Sequence, residues 1–144
     1  MKTWEKSQAY CDVELKKKNL AYLIKQAWFA GLIFQVDERV LIPRSPIAEL
    51  INKQFYSLLY DCPGEVLDLC TGCGCIGIAT ADAFPDAHVD IADISSDALV
   101  VAELNIQFHQ LDSRVNIIES DLFSNIVGKY DLILCNPPYV STDE

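Results

Sequence analysis

An α/β fold built on a parallel sheet is what these 144 residues predict, and two observations carry the prediction. Four short apolar runs, Val66 to Leu69, Val89 to Ile94, Val115 to Ile118 and Leu132 to Cys135, have the near-continuous hydrophobicity of strands buried on both faces. The first three are separated by stretches of helical period, and strand–helix–strand order gives parallel pairing through right-handed crossovers, with helices on both faces.

Upstream, Trp4 to about Lys18 reads as a mostly solvated helix ending in Lys16-Lys17-Lys18. Lys25 to Leu41 is rich in aromatic and branched residues and reads as short antiparallel strands, with turns at Gly31 and at Asp37-Glu38. Pro43-Arg44-Ser45-Pro46 then opens a helix, Ser45 its cap and Pro46 its first residue. An apolar stripe through Ile47, Leu50, Ile51, Phe55, Leu58 and Leu59 carries that helix to Asp61-Cys62-Pro63-Gly64. Helices from Cys75 to about Phe84 and from Ser96 to about Gln110 follow, the second with Leu99, Ala102 and Ile106 facing inward.

The totals narrow the functional classes. A single domain of this length buries roughly 68–70% of its extended-chain surface. No run approaches the ~20 apolar residues of a membrane span, and the first residues do not lead into a signal-peptide core, so a cytoplasmic protein with no membrane partner is expected. A net charge of −10 argues against stable binding to nucleic acid and fits a basic protein partner. Six cysteines include Cys70, Cys73 and Cys75, but neither His88 nor His109 stands at zinc-finger spacing; reduced thiols and no metal are expected.

In open parallel sheets ligands collect at the carboxyl ends of the strands. Here those ends are Asp68 through Gly77, then Asp93, Asp121 and Asn136. Gly72-Cys73-Gly74-Cys75-Ile76-Gly77 fits G-x-G-x-x-G after a strand and opening a helix, and Asp93 falls 21 residues after Gly72, where a carboxylate can bind ribose hydroxyls. That arrangement indicates a nucleoside cofactor. Asp68 puts an anion beside the loop, which repels a pyrophosphate and attracts an ammonium or sulfonium; S-adenosylmethionine carries both cations. A buried, satisfied turn residue is the other reading of Asp68.

Asn136-Pro137-Pro138-Tyr139 ends the fourth run. Neither proline can donate a ladder hydrogen bond, so the strand stops and leaves Asn136 at its carboxyl end, with Tyr139 as a flat surface beyond. If the Asn136 side-chain oxygen and the Pro137 carbonyl accept both N–H groups of a planar amide, electron density stays on its nitrogen. Methyl transfer can then proceed by positioning and electrostatics.

Together, Asp68 to Ile76, Asp93-Ile94-Ser95, Glu119 to Phe123 and Asn136 to Tyr139 resemble the successive motifs of the protein-glutamine N5-methyltransferases. Ala27-Trp28-Phe29 and Asp37 to Ile51 are similar to the PrmB-type branch, which modifies a glutamine of the third large-subunit ribosomal protein. The resemblance implies a Rossmann-like class I S-adenosylmethionine-dependent methyltransferase. Asp68, Thr71, Gly72, Gly74 and Gly77 would hold the methionine part of the cofactor, Asp93 its ribose and Asp121 its adenine. Asn136, Pro137 and Tyr139 would hold the target amide, Asn136 also bordering the cofactor, and Arg44, Ser45 and Pro46 would mark the substrate-side lip. Residues 1–24 would be a remnant helical segment, 25–44 a hairpin connector and 45–144 the first part of the catalytic domain, a chain truncated at both ends relative to the family's seven strands. Exposed sheet edges would then favour homo-oligomers. Two other functions fit the same residues: methylation of a nucleic-acid adenine at N6, since an exocyclic amine can be held in the same way, and a non-catalytic fragment that binds the cofactor.

Overall fold

The computed structural model describes residues 17–138. The stretch 4–16 of the expected first helix and Tyr139 lie outside them. A helix α1 (Lys17–Ile24) runs on past the lysines, because Ala21 packs on the core and the Tyr22 hydroxyl donates to Val40 O at 3.0 Å.

The predicted hairpin is present as β1 (Gln26–Phe29) and β2 (Leu32–Gln35), with Phe29 opposite Leu32 and Gln26 opposite Gln35. Its loop is Ala30-Gly31, both at positive φ (49° and 81°), the geometry of a two-residue turn that matches strand twist. Ala27, Phe29 and Phe34 point into the core while Trp28 stays 69% exposed. Between Gln35 and Leu41, where a further strand was expected, none forms: Val40 N–H donates to Asp37 O, and this turn folds Val40 inward.

The helix after Pro46 is much shorter than its apolar stripe predicts. α2 spans only Ile47–Asn52. Gln54 and Phe55 adopt left-handed φ of 52°, and Phe55 N–H reaches back to Leu50 O at 2.8 Å, which closes the helix end. Phe55 is driven out of helical register by burial against Phe84, their rings stacked with centroids 6.4 Å apart. Leu58 is left exposed. Pro46, in helical conformation, takes the N-cap position in place of Ser45, and Ser45, two residues before the helix begins, accepts from Ile47 N–H through its Oγ at 3.2 Å.

The main sheet contains β3 (Glu65–Leu69), β4 (His88–Asp93), β5 (Val115–Glu119) and β6 (Leu132–Cys135), all parallel, in the order β5-β4-β3-β6. α3 (Cys75–Ala83) joins β3 to β4 and α4 (Ser96–Phe108) joins β4 to β5. Both helices share one core with Val66, Val89, Ile91, Val115 and Leu134, and the hairpin enters that core through Phe34. The opposite face was expected to carry helices too. Among the described residues it carries none: Leu67, Leu69 and Ala92 are covered by the irregular connection 120–131, through Ile126 and Tyr130. Ser120 explains the lack of a helix there, because its Oγ accepts from Asn125 N–H and donates to Leu122 O, tying the chain into a tight turn. Tyr130 closes the cover by donating to Asp90 Oδ2 at 2.7 Å. No described helix is long and apolar enough to cross a membrane.

Successive strands step from β3 to β4 to β5, and then the chain returns to lay β6 on the other side of β3. The reversal makes the carboxyl ends of β3 and β6 the switch point at which open sheets bind ligands.

Candidate active site

Asp68 is the penultimate residue of β3 and has no solvent exposure. Its Oδ2 accepts from Thr71 Oγ1 at 2.5 Å and from Gly77 N–H at 2.9 Å, while its Oδ1 is buried without a partner. Burial raises its pKa to about 7, against the opposing pull of the Thr71 and Gly77 hydrogen bonds, and the charge of Asp93 adds to the rise. Asp68 is therefore not an open anion beside the loop, as the charge argument supposed. It lies under the loop, shapes it, and keeps one oxygen unsatisfied.

The loop itself needs its glycines. Gly72 and Gly74 have φ of 58° and 87°, and Gly74 is the N-cap of α3. A Cβ on Gly77 would lie 2.3 Å from Ile91 Cγ2, so the first turn of α3 could not rest on β4 with any larger residue there. Asp93, at the end of β4, accepts from Gly72 N–H at 2.9 Å through one oxygen and from Ser95 N–H at 3.0 Å through the other. It thus ties the loop to the start of α4, where Ser95 Oγ caps by accepting from Ala98 N–H. Asp121 sits exposed on the loop that Ser120 holds, just past β5, and no described hydrogen bond of its side chain links it to the glycine loop.

The register sets Leu69 beside Cys135, so Asn136 leaves β6 at the level where Cys70 leaves β3. Asn136, Pro137 and Pro138 line a cavity of about 520 Å³ whose other walls include Tyr22, Trp28, Leu41 and Arg44. The structure thereby brings together Asp68, Thr71, Gly72, Gly77 and Asp93 by hydrogen bonds, and Asn136 and Pro137 with Arg44 around one cavity. Ser45 and Pro46 do not line it. Trp28 and Leu41, both strongly exposed, belong to the stretches that carry the family resemblance but were not named as site residues; a tryptophan on the outward side of an alternating strand was the available signal. Among the described residues no three His, Cys, Asp or Glu side chains gather as metal ligands. The Cys70 thiol is pushed up to about 11 by burial and by Cys135 beside it.

Residues 50–144, about two thirds of the chain, match the family described as methyltransferase small domain. The chain belongs to that family. Over 131 residues it is 56% identical to a Francisella tularensis protein named ribosomal protein uL3 glutamine methyltransferase, and over 125 residues 47% identical to a Neisseria gonorrhoeae protein of the same name. These alignments cover 89% and 85% of this chain and 42% of each relative, so the chain spans less than half the length of the relatives it matches. The fold is likewise that of a methyltransferase domain. The solved delta-N METTL16 MTase domain superposes with a TM-score of 0.61 at 18% identity, over 88% of this chain and 58% of that one.

Proposed function

We propose that this methyltransferase domain transfers a methyl group from S-adenosylmethionine to the side-chain amide nitrogen of a glutamine in a basic ribosomal protein of the uL3 kind, a reaction located in the cytoplasm. The observation that carries the reading is the meeting, at one topological switch point, of the glycine loop after β3 and Asn136-Pro137 after β6.

The residues present fit the cofactor. The unpartnered Oδ1 of Asp68 offers an acceptor to an ammonium group, and Gly72, where an added Cβ would meet nothing within 4 Å, leaves the loop open for a ligand to approach. Thr71 and Gly77 hold Asp68 in place, and Asp93 and Asp121 stand at the following strand ends to take the ribose and adenine. When bound, S-adenosylmethionine supplies a methyl group on a positively charged sulfur.

The chain's own part is to present the amide. Asn136 Oδ1 and the Pro137 carbonyl accept the two N–H groups of the glutamine side chain, which orients its nitrogen and limits delocalisation of its lone pair. The two prolines stiffen the backbone that carries both acceptors, so little ordering is left to do when substrate arrives. Tyr139, outside the described residues, takes its role of stacking on the amide from the family resemblance alone, and Arg44 lines the cavity through which the substrate segment enters. The net charge of −10 draws a basic substrate and repels nucleic acid. For that reason the glutamine reading is preferred to methylation of a nucleic-acid adenine.

Calorimetric titration of the chain with S-adenosylmethionine tests the cofactor half of this reading. Saturable binding, weakened about ten-fold or more in Asp93→Ala, is expected. The absence of heat from a folded wild-type chain would remove the cofactor. Saturable binding with no methyl transfer would reduce the function to that of a cofactor-binding fragment.

A further inference from the structure

Asn105 is a polar residue on the inward face of α4, in the run Ala98, Val101, Ala102, Asn105, Ile106, and it is completely buried. Its carboxamide uses both N–H donors and one acceptor direction on two other segments. Oδ1 accepts from Gln35 N–H at 2.6 Å, and Nδ2 donates to Gln35 O at 3.0 Å and to Cys73 O at 2.8 Å. Gln35 ends β2, whose partner β1 carries Ala27 and Trp28 on the wall of the cavity that contains Asn136. Cys73 lies between the two left-handed glycines of the cofactor loop. One side chain therefore spans 32 residues of sequence to the loop and 70 to the hairpin, and holds both at once.

A neutral amide filling a core gap needs no such reach. Leucine at this position would suit the apolar helix face, and a satisfied buried amide contributes little net stability over a well-packed apolar side chain. What the amide adds is a fixed relation between two segments that serve different ligands. α4 grips the hairpin a second time one turn later, where His109 Nε2 meets Ile33 O at 2.8 Å, but His109 makes no described hydrogen bond to the loop.

The geometry points to Asn105 as a positioning residue that couples the cofactor loop to the hairpin wall of the substrate cavity, so that filling the cofactor site tightens the hairpin. The inference rests on the cofactor reading above and goes beyond it, since a site for the cofactor does not require that the hairpin sense it. The physical warrant is a single rigid group bonded to both segments rather than mere nearness.

Two measurements on the chain test it. In the wild-type protein, the amide hydrogen of Gln35, whose acceptor is Asn105 Oδ1, should exchange about five-fold or more slowly when S-adenosylmethionine is saturating, the low end of ordinary site-to-site coupling. In a Trp4→Phe background Trp28 is the sole tryptophan, and its emission should shift along the same binding curve. Asn105→Ala should still bind S-adenosylmethionine but lose the Trp28 response. His109→Phe, which cuts the other link between α4 and the hairpin, should keep it. Unchanged Gln35 exchange, a silent Trp28 at saturation, or equal loss of the response in His109→Phe each overturns the inference while leaving the cofactor reading intact. Failure of the wild-type chain to bind S-adenosylmethionine at all defeats the cofactor reading itself and the coupling with it.

Discussion

Asp68 has its carboxyl buried under the glycine loop with a pKa raised to about 7, and this imposes a pH dependence of definite sign. The group binds its proton more tightly in the folded than in the unfolded chain, whose carboxylate titrates near 3.8. Its contribution is therefore fully present below about pH 4 and is lost as pH rises through about 7. Asp37, lowered by its hydrogen bond to Arg39, and Asp131, lowered by the N–H groups of Glu65 and Gly64, act in the opposite sense at more acid pH. Urea midpoints of the wild type should fall between pH 4.5 and 7.5 relative to those of Asp68→Asn, by an amount equivalent to about 4 kcal/mol at most. A constant difference between the two across that window would show that Asp68 titrates normally. The identities of Asp68, the three glycines, Asp93 and Asn136 were legible in sequence because strand ends, left-handed turns and prolines restrict residue type locally. The depth of Asp68 was not, since burial depends on what the loop above it does. Nor was Asn105, because at helical spacing it reads as one polar interruption in an apolar face, and its partners lie 32 and 70 residues away.

Among the elements, α3 shows how a helix end is supplied from afar. The Ala81 carbonyl of its last turn accepts from the Arg114 guanidinium at 2.9 Å, and the same guanidinium donates to the C-cap carbonyl of Phe84 at 3.1 Å and to Ala87 O, beyond the helix, at 2.8 Å. Arg114→Met keeps the aliphatic stem but removes the donors, and should lower stability by about 1.5–3 kcal/mol in denaturant unfolding. A loss within error would mean that water replaces the guanidinium without cost. The four strands of the main sheet and the helices α3 and α4 match the sequence reading within one or two residues, because burial on both faces leaves a continuous apolar run that turn residues punctuate. α2 was overextended for a converse reason: Phe55 belongs to the apolar stripe but is claimed by Phe84, and a tertiary contact outweighs the weak preference of one more helical turn.

At the scale of the whole molecule, a four-stranded sheet has two edges, and β6 is an edge among the described strands with Ile133 49% exposed and Cys135 exposed beside it. We propose that the chain self-associates through this edge in solution. Sedimentation velocity should show a weight-average mass that rises with concentration, and Ile133→Lys should suppress the rise. A single monomeric species across the range, with a cooperative high-temperature melt, would count against it. The topology was legible as parallel units, yet the placement of β6 against β3 was not, because four apolar runs do not state their order in the sheet. That placement nonetheless makes the site, since it brings Asn136 beside the loop that begins at Cys70. Methylation of a glutamine amide at this rim, as proposed, can be followed by mass spectrometry of a uL3 protein incubated with the chain and S-adenosylmethionine. By this proposal one methyl group should be gained on a glutamine side chain, and Asn136→Ala should abolish the gain. No gain, with a full-length uL3 glutamine methyltransferase active on the same substrate in parallel, would contradict it.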